Sequence, residues 1–130
     1  MAEKRFAQCI ENGIVTYCEK DQEIGDITWT PHAKFTGVFL KHLLKGADTA
    51  GMLSCHLVKV EPGCVLDEHL HAGEWELHEV IGGEGQGYLG TKDIEYHPGR
   101  VVIIPQNTKH KVVAGPSGLM LLAKFFPALM

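Results

Sequence analysis

The chain has 130 residues, 45% of them apolar and 22% charged, which is the makeup of one globular domain and excludes a disordered or collagen-like protein. Twelve basic residues against sixteen acidic ones give a net charge of −4, and Arg5 and Arg100 are the only arginines, so a nucleic-acid partner is not expected. No apolar run approaches the ~20 residues of a membrane helix, and no apolar stretch follows the basic Lys4-Arg5 start, so a cytoplasmic protein with reduced cysteines is expected.

The predicted elements are almost all strands: residues 14–18, 36–44, 52–60, 64–69, 76–81, 86–89, 101–104, 111–113 and 119–126. Gly, Pro, Asn and Asp clusters punctuate them, including Lys45-Gly46-Ala47-Asp48, Glu61-Pro62-Gly63, Gly82-Gly83-Glu84-Gly85, His97-Pro98-Gly99 and Gly115-Pro116-Ser117-Gly118. Many short strands with regular turns indicate an all-β sandwich or barrel. There is no repeat or linker, so residues 1–130 form one domain, with 1–35 an N-terminal extension of strands or arm and 52–126 the core barrel.

Residues 39–45 are rich in leucine, but Val38, Leu40, His42 and Leu44 alternate with Phe39, Lys41 and Leu43, which indicates a strand. With Lys41 and Lys59 pointing out, His42 and His56 point in. A hairpin turning near residues 47–49 then sets these two histidines close together, as a satisfied polar pair or as part of a substrate pocket.

Histidine carries the chemical signal. Eight occur, and three of them lie within residues 69–78. In a strand, His69 and His71 aim at one point, and Glu76 can return a carboxylate there after a short loop. Two such histidines alone are equally at home on a surface or in a core. His110 adds weight, because it follows an apolar strand and the turn Pro105-Gln106-Asn107.

Both segments resemble the signature motifs of the cupin superfamily. The first motif is met in full: Gly63, five residues, His69-Leu70-His71, four residues, Glu76, six residues, Gly83. The second reads Gly99, five residues, Pro105, then Asn107 where the family has Gly, two residues, and His110; Ala114 replaces the family's closing Asn. Asn tolerates left-handed backbone, so the turn survives.

The resemblance implies a cupin-type jelly-roll β-barrel, with one divalent transition metal held by His69, His71, Glu76 and His110. Imidazole and carboxylate ligands suit Fe, Mn, Ni, Co or Zn. Glu74 shares the parity of Glu76 and is a second candidate carboxylate. Four protein ligands leave an octahedral ion two open positions, and one carboxylate leaves the site at +1, which favours a small anionic ligand.

His78 shares the inward face with Glu76 and is either a hydrogen-bonded wall residue or an acid or base beside the metal. Tyr88 is a further pocket candidate. His32 and His97 flank prolines and are expected at surface turns, Arg100 is the one arginine available to clamp a carboxylate, and the cysteines are expected as small core hydrophobes.

The function implied is a small metal-dependent enzyme of dioxygenase, isomerase or lyase type, with a non-catalytic metal-dependent binding or sensing module as the alternative. The last strand is apolar on both faces, as are Phe39 and Leu43 beside Lys41, so a homodimer is expected to cover this patch unless the N-terminal segment folds over it.

Overall fold

A computed structural model describes the backbone of residues 2–130 and the side chains from Phe6 onwards; Met1, the first residue of the basic start, lies outside the described residues. In chain order it comprises helix α1 (Ala2–Glu11) and strands β1 (Ile14–Thr16), β2 (Asp21–Glu23), β3 (Thr30–Pro31), β4 (Val38–Leu44), β5 (Ser54–Val60), β6 (Val65–His69), β7 (Trp75–Leu89), β8 (Lys92–Tyr96), β9 (Val101–Ile104) and β10 (His110–Phe126). Strands β1 and β2 form a small hairpin. The others make one antiparallel sheet in the order β3-β4-β5-β10-β7-β8, with β6 added on β10 and β9 on β7.

Two long strands curl this sheet into a jelly-roll barrel. The segments Gly82–Gly85 and Gly115–Gly118 were expected as turns between separate strands, but each lies within one continuous strand, β7 or β10. The pairing register slips between Ala114 and Leu119 and again between Met120 and Leu121, so these glycines act as bulges that bend the sheet. Gly83 has φ +75°, and a Cβ there would lie 2.1 Å from the Gly118 carbonyl oxygen, so only glycine lets the two strands pass.

The inward face of the barrel holds one apolar core, built from Val38, Val58, Val60, Val80, Val112, Leu119, Leu121 and their neighbours. A second core lies outside the sheet, where Ala7 of α1 and Ile24 pack on Leu43, Cys55, Leu57 and Ile81, with Trp29, Met120 and Leu122 partly buried around them. The N-terminal segment is therefore helix α1 followed by the short strands β1–β3, packed on the barrel rather than forming a free arm. It buries the second apolar face within one chain, so that face no longer calls for a second copy. The large apolar side chains left exposed include Trp75, Val101, Ile103 and Phe126 instead.

Lys41 lies on the outer face, as expected, but is buried. Its Nζ donates to the Ile24 carbonyl oxygen at 3.0 Å and sits 5.0 Å from the Trp29 ring centre, which pins the N-terminal segment to the barrel. All four cysteines are free thiols; Cys55 is buried and Cys64 half-buried, while Cys9 and Cys18 are exposed and are not core residues.

Candidate metal centre

Four side chains converge at one end of the barrel. His69 closes β6, Glu76 is the second residue of β7 and His110 opens β10, directly opposite His69 in the strand register. His71 lies just beyond β6, in the bend that leads to β7, rather than in the strand itself. One donor atom from each of His69, His71, Glu76 and His110 falls within 4.8 Å of the others. Adjacent ligands of an octahedral ion with bonds of about 2.1 Å lie about 3 Å apart and opposite ones about 4.2 Å, so the cluster could hold one first-row ion once its donors draw in by about half an ångström.

The hydrogen bonds around the cluster fit the same conclusion. His69 Nδ1 lies 2.7 Å from the Asp67 carbonyl oxygen and His110 Nδ1 lies 3.0 Å from that of Thr108, so both rings donate from Nδ1 and present an Nε2 lone pair to the centre. Glu76 Oε1 and His110 Nε2 are buried 3.1 Å apart, and neither makes a hydrogen bond. Two orphaned buried acceptors facing each other are costly unless a cation lies between them. Glu74 is half-buried and belongs to no such cluster, so the carboxylate is Glu76.

Burial raises the Glu76 carboxyl, but His78 and His110 outweigh it and hold the group well below the ordinary carboxylate range. Burial pushes His69 down to about 4 against its bond to the Asp67 carbonyl, and lowers His71 against the charge of Glu76. Burial also opposes charge on His110, but its contact with Glu76 prevails and raises it. At neutral pH the centre thus offers a carboxylate and the neutral imidazoles of His69 and His71, while His110 would give its Nε2 lone pair to an ion only in place of the proton that Glu76 favours there.

A chain of hydrogen bonds stands behind Glu76. Its Oε2 accepts from His78 Nε2 at 2.7 Å, and His78 Nδ1 in turn accepts from the Tyr96 hydroxyl at 2.8 Å. Both nitrogens of His78 are therefore engaged, Nε2 on Glu76 and Nδ1 on Tyr96. Tyr96 was not anticipated. It is 3% exposed, and Gly87 opposite makes its room, since a Cβ there would lie 2.2 Å from the Tyr96 ring.

A cavity of about 300 Å³ opens onto this centre. His69, His71, Glu76 and His78 line one side, and His42 and His56 line another. Most of the remaining wall is aliphatic or aromatic, with Leu40, Val58, Leu121 and Phe125 prominent. His42 and His56 are paired at one rung of the β4–β5 ladder, with their Nδ1 atoms 2.8 Å apart.

Three expectations need correcting. His32 is not a plain surface residue: it lines the cavity and stacks on Phe35 at 4.6 Å, and Phe35 in turn sits 5.6 Å from the ring of His69. Tyr88 does not line the cavity; Lys111 Nζ lies 4.9 Å from its ring centre. Arg100 is exposed and donates to the Glu95 carbonyl, so it clamps nothing in the site. His97 is exposed in its turn, as expected.

A jelly-roll barrel with a three-histidine, one-carboxylate cluster at the base of an apolar cavity defines a class of metal-binding barrel proteins. Residues 56–122 match the family described as the Cupin domain. The chain belongs to the cupin family. KdgF from Halomonas sp. is similar in structure, with TM-score 0.70 and 21% identity over 79% of this chain and 88% of that one. A predicted oxalate decarboxylase from Thermotoga maritima gives TM-score 0.70 and 24% identity over 79% and 95%. The oxalate decarboxylase of Bacillus subtilis, studied for its Mn(II) centres, gives TM-score 0.70 and 16% identity over 82% of this chain and 29% of that one. No curated protein matches the chain in sequence.

Proposed function

We propose that the chain is a metal-dependent cupin enzyme that acts on a small anionic metabolite with an apolar body. The observation that carries this reading is the cavity of about 300 Å³ that opens directly onto the four-residue cluster. A cavity of that size is at the small end of ligand pockets. When bound, a divalent transition ion supplies open coordination positions and Lewis acidity for a chelating substrate.

The protein's own groups set the rest. Glu76 offsets one of the ion's two charges and leaves a net positive centre that attracts a carboxylate. The Tyr96–His78 chain holds the Glu76 carboxylate in one orientation. Leu40, Val58, Leu121 and Phe125 exclude water from around the ligand body, which strengthens the polar contacts inside. The Bacillus subtilis relative in fold carries Mn(II) centres and is an oxalate decarboxylase, which supports manganese among the candidate ions and a carboxylate among the ligands.

One observation favours the second reading, a binding or sensing module without turnover: both nitrogens of His78 are engaged in hydrogen bonds to Glu76 and Tyr96. The deciding experiment starts with metal analysis of protein purified without a histidine tag. Reloaded protein is then incubated with a panel of carboxylic and sugar acids, with and without dioxygen. Conversion of any acid supports the enzyme, binding without conversion supports the module, and failure to hold a stoichiometric ion overturns both.

A further inference from the structure

The hydrogen bonds around Ser54 favour one direction, the one that leaves no buried donor unpaired. The Leu129 backbone N–H can only donate, and it donates to Ser54 Oγ at 3.0 Å. Ser54 is fully buried, and its only other partner among the described residues is His56 Nε2 at 3.1 Å. The direction that also satisfies the buried serine O–H is donation from Ser54 to His56 Nε2, since the serine has no other acceptor among the described residues. That fixes the proton of neutral His56 on Nδ1, from which it donates to His42 Nδ1 at 2.8 Å. Neutral His42 then carries its proton on Nε2, which makes no hydrogen bond among the described residues, and its ring lines the cavity.

Burial holds His56 down to about 4 and, with Lys45, lowers His42, so both rings are neutral at pH 7 as this direction requires. Phe125 touches both polar groups, with its ring centre 5.7 Å from that of His56 and 5.1 Å from that of His71, and Ala123 is the residue between His56 and His78 across β5, β10 and β7. The cavity thus carries two polar groups on neighbouring strands, with apolar side chains filling the wall around them.

We propose that the Ser54–His56–His42 chain is a second ligand anchor, which presents the His42 Nε2–H to an acceptor oxygen at the far end of an acid held at the metal centre. This rests on the anionic-ligand reading and narrows it to acids that carry a second oxygen function beyond an apolar segment.

Two measurements test it. In metal-free protein labelled with ¹⁵N-histidine, NMR should report the Nε2–H tautomer for His42 and the Nδ1–H tautomer for His56; the reverse pair overturns the proposal. In zinc-loaded protein, calorimetry compares dicarboxylates of three to six carbons with monocarboxylates of equal length. At least one dicarboxylate should bind on the order of tenfold tighter than its partner, the gain of a hydrogen bond to a charged group. In His42→Phe the ratio of dicarboxylate to monocarboxylate affinity should fall to about one, whatever the change in absolute affinity. Equal binding of every pair by the natural protein overturns the second anchor alone. Failure of all the acids to bind overturns the anionic-ligand reading, and the anchor with it.

Discussion

Replacing Tyr96 by Phe removes one oxygen atom and tests whether the Tyr96–His78 chain controls the centre. Shape and apolar packing are kept, because the ring stays in the space opposite Gly87. What is lost is the donor 2.8 Å from His78 Nδ1, on a histidine that is 1% exposed. Water has little access there, so the nitrogen is left as an unsatisfied buried acceptor at a cost of about 1–3 kcal/mol. For a domain of this size, that lowers the midpoint of thermal unfolding by roughly 5–10 °C. A second effect separates positioning from packing. His78 no longer has a fixed ring orientation, Glu76 loses its fixed partner, and metal affinity falls by about 10–100-fold, the usual cost of losing an outer partner of a ligand. Calorimetric melting of metal-free protein and zinc titration measure the two effects independently. Unchanged metal affinity in a folded Tyr96→Phe protein would refute the idea that this chain orients Glu76, whatever happened to the melting point.

Three further outcomes follow from the structure. His110→Ala removes the only ligand from β10 and should weaken metal binding by more than about 100-fold, the upper range for losing a mere outer partner, as read by competition with a chelator. Metal-free protein should lose stability as the pH falls from about 6.5 to about 4: His56 holds off protonation to about 4 when folded, the unfolded chain binds the proton sooner, and the difference reaches about 3 kcal/mol, against which the raised His110 acts in the opposite sense. Urea unfolding at pH 7, 5.5 and 4.5 checks this, and a flat profile would refute it. Leu122→Glu places a charge under the N-terminal cover and should cost about 2 kcal/mol or more and loosen α1 to proteolysis, because Leu122 packs into the second core of the same chain.

The candidate metal ligands were legible because each motif is local. His69, His71 and Glu76 lie within eight residues, and the β6–β10 pairing that brings in His110 repeats what the Gly99–His110 motif implies. The inward parity of His42, His56 and His78 was legible for the same reason, since simple alternation decides it over a few residues. Tyr88 shows where alternation fails. Counted from Glu76 it falls on the inward face, but the bulge between Val80 and Gly82 shifts the count by one, so Gly87 and Leu89 face the core and Tyr88 does not. Gly82, Gly83, Gly115 and Gly118 carry the same local signal whether they make a turn or a bulge, and only the partner strand distinguishes the two. Tyr96 escaped because Lys92, Asp93 and Glu95 mask the alternation of Ile94 and Tyr96. Helix α1 is amphipathic, with Ala7 buried and Ile10 partly buried against the second core, so its helical spacing was present in the sequence and went unread. His32 was placed correctly at a proline turn, but the cavity mouth beneath that turn is a tertiary feature.

The two polar groups of the cavity rest on differently built walls, and this predicts how they divide the work. Glu76, His78 and His110 stand on β7 and β10, which pair along nearly their whole length in the middle of the sheet, and Tyr96 behind them is buried. A ligand-oriented metal centre needs such a floor, because small displacements of its donors weaken it. His42 and His56 stand on one rung of β4–β5, nearer the sheet edge, and their direction of donation is set by Ser54 and the Leu129 amide. The cavity beside them is closed by His32 and Ala33 from the turn after β3 and by Leu129 and Met130, none of which belongs to a strand. Such segments open at lower cost than the sheet does. Changes at the floor should therefore alter which ion is held and how tightly, while changes at the mouth should alter which acid is admitted without disturbing the ion. A pocket arranged this way can change its substrate by substitution near the mouth while its metal chemistry stays fixed.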